Sequence, residues 1–109
     1  MAITNYPAVT TVGTGAYTSV GDTAVTVMYL TNITASGVAV EVYVVPNADT
    51  GTFEASPTAG YKIYNALTIS ANDTYVMDTE KLILATGDKI YVTAGSSSAI
   101  NVTISTIGL

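Results

Sequence analysis

Thr23-Ala-Val-Thr-Val-Met-Tyr-Leu-Thr-Asn-Ile-Thr-Ala-Ser-Gly-Val-Ala-Val-Glu-Val-Tyr-Val-Val45 is the stretch that decides the fold class. From Val38 onward valine returns at every second position, at Val38, Val40, Val42 and Val44. Side chains two apart on a strand share a face, so Ala39, Glu41, Tyr43 and Val45 point the other way. A helix gathers residues three and four apart and could not bring those valines to one side. Asn32 to Gly37 supplies the breakers of a turn. The strand before it, Ala24 to Thr31, is apolar on both faces: Val25, Val27 and Tyr29 alternate with Met28 and Leu30. Its inward face is not decided locally, because a slip of one residue exchanges the two sets.

Working outward, residues 1 to 22 read as an N-terminal arm with strand-like Ala8 to Val12 and Ala16 to Val20. Gly13-Thr14-Gly15 and Gly21-Asp22 interrupt it. Such an arm completes the domain's own sheet or reaches a neighbouring subunit. Pro46 stops the Val38 strand and opens the longest irregular segment, Pro46 to Gly60, which contains the only phenylalanine, Phe53, with Asp49 and Glu54. A segment of that length is either a binding loop or a sheet-to-sheet crossover anchored by Phe53. Tyr61 to Ser70 alternates, with Tyr61, Ile63, Asn65, Leu67 and Ile69 opposite Lys62, Tyr64, Ala66 and Thr68. After a turn at Ala71-Asn72-Asp73 come short strand pieces at Thr74 to Met77 and Lys81 to Leu84, split near Asp78-Thr79-Glu80. Thr86-Gly87 turns into Asp88 to Ala94, where Ile90 and Val92 face inward. Ala99 to Ile107 closes the chain with Ile100, Val102 and Ile104 inward.

About seven or eight strands, with turns every 8 to 12 residues or so, predict one all-β, antiparallel β-sandwich over residues 23–109, preceded by the arm. Jelly-roll and immunoglobulin-like wirings both fit. At 109 residues the chain is sized for a single domain. No run of about 18 apolar residues offers a membrane-spanning helix, and Met1 to Pro7 lacks the basic start and apolar core of a secretory signal.

Charged residues make up 10%, against about 25% in an ordinary soluble domain. The 3 cations are Lys62, Lys81 and Lys89, and 8 acids bring the net charge to -5. That balance argues against nucleic-acid binding, which needs a cationic face. A surface of Thr, Ser, Asn, Ala and Tyr sheds few ionic hydration shells and suits a subunit packed against neighbours. Histidine and cysteine are both absent, which removes the usual general base, the thiol nucleophile and most transition-metal sites. Asp78 with Glu80, and Asp49 with Glu54, are the nearest carboxylate pairs. Nothing gives either a glycosidase cleft or a calcium loop. Gly13-Thr14-Gly15 lacks the third glycine and following helix of a dinucleotide fingerprint. Asn32-Ile33-Thr34, Asn72-Asp73-Thr74 and Asn101-Val102-Thr103 match the glycosylation sequon in a chain rich in Asn and Thr. These residues predict no enzyme, cofactor or metal.

Tyrosine is the remaining signal, with 8 in the chain. Tyr43, Tyr64 and Tyr91 fall on the outward phase of their strands. Together with Tyr6, Tyr17 and Phe53 they are the candidate interface residues, since aromatic rings carrying a hydroxyl favour protein and glycan contacts. Tyrosine also suits a pleated surface on propensity alone.

Thr23-Ala-Val-Thr-Val-Met-Tyr-Leu-Thr-Asn32 with Val38-Ala-Val-Glu-Val-Tyr-Val-Val-Pro46 resembles a family of small virion structural proteins of tailed bacteriophages, notably cyanophages. So do Ile69-Ser-Ala-Asn-Asp-Thr-Tyr-Val-Met77, Glu80-Lys-Leu-Ile-Leu84, Thr86-Gly-Asp-Lys-Ile90 and Ala99-Ile-Asn-Val-Thr-Ile-Ser105. The resemblance spans nearly the whole chain and implies a structural protein with no catalytic motif. The leading expectation is a decoration or cement protein on the capsid surface, in contact with the major capsid protein or other virion subunits. The alternatives are a neck or tail subunit, or a head-fibre or tail-fibre module that binds host glycan. Open sheet edges usually need cover, so self-association is expected, for instance as a trimer.

Overall fold

The computed structural model describes residues 2–9, 14–47, 62–77, 82–96 and 98–109. Within them lie nine strands and no helix: β1 (Ala2–Val9), β2 (Thr14–Thr18), β3 (Thr23–Asn32), β4 (Val38–Val45), β5 (Lys62–Ile69), β6 (Thr74–Met77), β7 (Leu82–Leu84), β8 (Lys89–Ala94) and β9 (Ile100–Gly108). They form two antiparallel sheets packed face to face. Sheet A has the order β1-β9-β3-β6, with β7 also paired to β3, and sheet B has the order β2-β8-β4-β5.

This order is that of a jelly roll, two interlocked Greek keys on two sheets. It decides between the two wirings that the strand pattern left open. The chain crosses between sheets at nearly every connection, and only β4–β5 and β6–β7 stay within one sheet. β6 pairs with Met28–Thr31 and β7 with Thr23–Val25, so the two pieces are successive parts of one edge strand. Residues 2–9 and 14–18 join the protein's own sheets, β1 against β9 and β2 against β8. Of the two roles open to the arm, they take the first. Pro7 lies in edge strand β1, where the register shifts between Tyr6 and Val9. An edge bulge is where a residue without an N–H does least harm.

Both sheets turn apolar side chains into one core. Val38, Val40 and Val42 of β4, with Ile90 and Val92 of β8, meet Met28 and Leu30 of β3 and Ile100, Val102 and Ile104 of β9. All of these are at most 4% exposed. Full burial of such a side chain contributes about 1.5–3 kcal/mol. Alternation predicts the inward sets of β8 and β9 correctly, and the face it groups Val38, Val40 and Val42 on is the inward face of β4.

Two strands break the alternation. In β3 the register against β9 shifts between Val25 and Val27, so Thr26 is an extra residue. Its hydroxyl donates to the Ser105 carbonyl at 3.1 Å and lies 3.0 Å from the Ser105 hydroxyl. The bulge lets Val25 on one side of it, and Met28 and Leu30 on the other, all face inward. The face ambiguity of this strand is resolved by a change of phase along it.

In β5 the pairing runs Val40↔Leu67, Val42↔Tyr64 and Tyr43↔Lys62, so two extra residues are accommodated. Leu67 and Ile69 keep the inward phase predicted for them. Asn65 and Ala66 are both exposed, Tyr64 turns toward the core, and Ile63 is 41% exposed. The uniform alternation expected over Tyr61 to Ser70 is corrected here. Ala66 sits at φ 53°, in the left-handed region that disfavours a Cβ. Ala66→Gly is therefore expected to stabilise the fold by about 0.5–1 kcal/mol, read as a higher urea midpoint at unchanged slope. An unchanged or lower midpoint would contradict the strain.

The predicted turns form as hydrogen-bonded units. The Asp73 N–H donates to the Ser70 carbonyl at 3.1 Å and the Asp88 N–H to the Ala85 carbonyl at 3.0 Å. Asn72 and Gly87 carry the positive φ at the third turn position, the pattern of type II turns. The Asp88 carboxylate accepts from the Asn47 and Ala85 N–H groups at 2.9 and 3.0 Å, tying the end of β4 to the β7–β8 turn.

Candidate functional site

The outward faces of the two sheets differ in chemistry. Sheet B carries all the charged residues found on described strands: Glu41 on β4, Lys62 on β5 and Lys89 on β8. The Tyr43 hydroxyl donates to Glu41 Oε1 at 2.9 Å, and Lys62 Nζ lies 3.3 Å from Glu41 Oε2. The Lys62 ammonium stands 5.6 Å from the centre of the Tyr43 ring, and Thr93 Oγ1 is 3.4 Å from Glu41 Oε1. The Tyr43 hydrogen bond, helped by Lys62, holds the Glu41 carboxyl below its ordinary range against the opposing effect of burial. Burial and the facing carboxylate push the Tyr43 hydroxyl above its ordinary value. Glu41 and Thr93 of this cluster, with Ala39, Ala66, Ala94 and Gly95, line an open groove of about 230 Å³. Glu41 is already committed to Tyr43, Lys62 and Thr93, and the remaining walls are small, so the site offers shape but little free chemistry.

The outward face of sheet A has another character. None of the strands β1, β3, β6, β7 and β9 contains a charged residue. Cross-strand registers arrange the outward side chains in rows: Ile107–Ala24–Ile83, Ile3–Ser105–Val27, Asn5–Thr103–Tyr29–Val76, and Asn101–Thr31–Thr74. Ile3 (69%), Ile83 (64%), Val76 (43%), Ile107 (40%) and Tyr29 (39%) stand exposed among them. Some of the polar groups between are paired sideways. Thr103 Oγ1 donates to Asn5 Oδ1 at 2.8 Å, and the Thr31 and Thr74 hydroxyls meet at 3.2 Å. Such a face gives up little hydration when covered.

The candidate aromatics do not converge on one site. Tyr43 and Tyr91 are on the outward phase of sheet B, side by side across β4 and β8. They are only 4% and 7% exposed, in a small apolar cluster with Val45. As candidate interface residues on an outward phase they would need accessible rings, and within the single chain those rings are covered. Tyr64 faces inward instead of outward, because of the β5 bulges. It packs edge-to-face on Tyr75 with ring centres 5.6 Å apart, joining the edge strands of the two sheets. Tyr17 also packs against the core. Tyr6 pairs through its backbone with Val102, and its side chain lies outside the described residues. Phe53, with Asp49, Glu54, Asp78 and Glu80, lies outside them too.

The residues that make the broad outward face of sheet A were not singled out by sequence. The available signal was the lack of any Asp, Glu, Lys or Arg across Thr23–Asn32 and Ile100–Gly108. It becomes a surface only when those strands are known to be neighbours. Comparison with protein-family models, with curated proteins and with solved structures found no match to this chain.

Proposed function

We propose that the chain is a non-enzymatic structural protein of a bacteriophage virion, a decoration or cement protein on the capsid surface. It would act through contacts with the major capsid protein or other virion subunits. The observation that carries this reading is the uncharged, partly apolar outward face of sheet A. Such a face is suited to lasting contact with protein, since no ion must be desolvated to cover it. The jelly-roll wiring supports the reading by analogy, being shared by viral capsid and lectin domains, although a fold alone does not carry a function. The resemblance of the strand sequences to small phage virion proteins and the lack of His and Cys in the chain point the same way. A glycan-binding role is less well supported, because the rings of Tyr43 and Tyr91 are not open for stacking. A neck or tail subunit would use the same surface chemistry and differs only in place.

Purified protein should bind saturably to capsid shells assembled without it and raise their melting temperature. Failure to associate with shells, with density for the protein only at the neck or tail of the particle, would overturn the capsid placement.

A further inference from the structure

We infer that the outward face of sheet A is the contact surface for a second copy of this chain, giving a face-to-face pair related by a two-fold axis. Three observations select this occupant.

The first is charge. Every copy carries a net charge of -5, so copies repel at most approaches. The described carboxylates, at Asp22, Glu41, Asp73 and Asp88, lie on sheet B or in turns. Asp78, Glu80 and Lys81 belong to the β6–β7 connection, outside the described residues. Among the described residues, the strands of sheet A carry no carboxylate, so two copies meeting there bring none of the described strand carboxylates face to face.

The second is area. β3 is 10 residues long and the sheet is four strand positions wide. At about 3.3 Å per residue and about 4.8 Å between strands, the face covers roughly 600 Å². A specific interface buries about 600–1,000 Å² on each partner, so the whole face, and no small part of it, is what a pair requires.

The third is self-complementarity. Ile, Val and Tyr are interspersed with Thr, Ser and Asn, some of which pair with one another, as in Thr103–Asn5 and Thr31–Thr74. A second copy offers the same uncharged pattern, and its Thr, Asn and Tyr side chains supply hydrogen-bonding partners for those it covers. A face that pairs with itself closes at two copies, not at three. The pair is thus distinct from the trimer expected from sequence.

The pair claims the same face that carries the virion reading, so a pair that also coats shells would reach the capsid through its other surfaces. The inference stands or falls on self-association alone. Sedimentation equilibrium of the full chain over a wide concentration range tests it. The expected species is twice the 11.2 kDa chain mass, dissociating on dilution. Added salt should strengthen it, because screening weakens the repulsion between two anionic copies. Ile83→Lys and, separately, Val76→Lys should each weaken association at least tenfold while circular dichroism shows an intact fold. Thr68→Lys, on the exposed outward side of sheet B, should leave association unchanged. Two independent positions guard against one variant failing to fold. A wild-type monomer at every concentration, a trimer, or a pair that survives both substitutions would overturn the inference. A monomer that still coats shells would sink the pair and leave the virion role standing. A pair that ignores shells would do the reverse.

Discussion

Asn32→Ala is expected to lower stability by about 3–5 kcal/mol, among the largest losses a single substitution can cause in this chain. Asn32 is fully buried at the end of β3. Its side-chain amide donates to the carbonyls of Ser36 at 2.8 Å, Ile69 at 2.9 Å and Ser70 at 3.3 Å. Its Oδ1 accepts from the Thr34 N–H at 2.9 Å and the Thr34 hydroxyl at 2.7 Å. One side chain therefore ties the β3–β4 turn to the end of β5. Alanine would strand backbone groups away from water at about 1–3 kcal/mol each, less whatever entering water recovers. Asn32→Asp should be worse at neutral pH, since a buried carboxylate would face carbonyl oxygens with no proton to offer. Its folded-state pKa would be raised, so the variant should gain stability as pH falls. Denaturant titrations of the two variants at pH 7, and of the aspartate variant at lower pH, check this. A loss below about 1 kcal/mol for Asn32→Ala would show that the network is replaceable. The same burial leaves the amide of the Asn32 sequon no room to accept a glycan.

Along β3, Val25→Ala and Leu30→Ala should cost about 2–5 kcal/mol, while Val27→Ala and Tyr29→Ala should cost about 1 kcal/mol or less. Val25 is 1% and Leu30 is 0% exposed, whereas Tyr29 is 39% exposed and Val27 only partly covered. In an unbroken strand Val25, Val27 and Tyr29 would share a face and respond alike. The extra residue at Thr26 separates them. Urea unfolding of the four single variants reads the phase change directly. Equal losses at Val25 and Val27 would mean that β3 is regular and that the bulge is absent.

The β class was legible because the evidence for it is local. Val38, Val40, Val42 and Val44 recur with the strand period, and Ile100, Val102 and Ile104 repeat the pattern. That each set shares one face followed without knowledge of any partner strand. The turns at Asn72 and Gly87 were equally legible, since residues that tolerate positive φ mark them. Bulges were not. Thr26 and the Ile63–Ala66 region carry no mark of their own, because an extra residue exists only relative to the strand it pairs with. That is why Tyr64 was expected outside and lies inside.

The candidate site divides in the same way. Tyr43 and Tyr91 were rightly placed on the outward phase, but phase is a local property and burial is not. Asn32 was visible as a turn residue, because its Oδ1 bonds two residues ahead to Thr34. Its bonds to Ile69 and Ser70, 37 and 38 residues away, were not visible. Period, turn chemistry and the scarcity of charge belong to single segments, and the sequence by itself determined those. The jelly-roll wiring, the phase changes in β3 and β5, and the gathering of five uncharged strands into one face arise from which segments become neighbours. Only the tertiary structure decided them, because pairing energy depends on the partner and not on the strand alone.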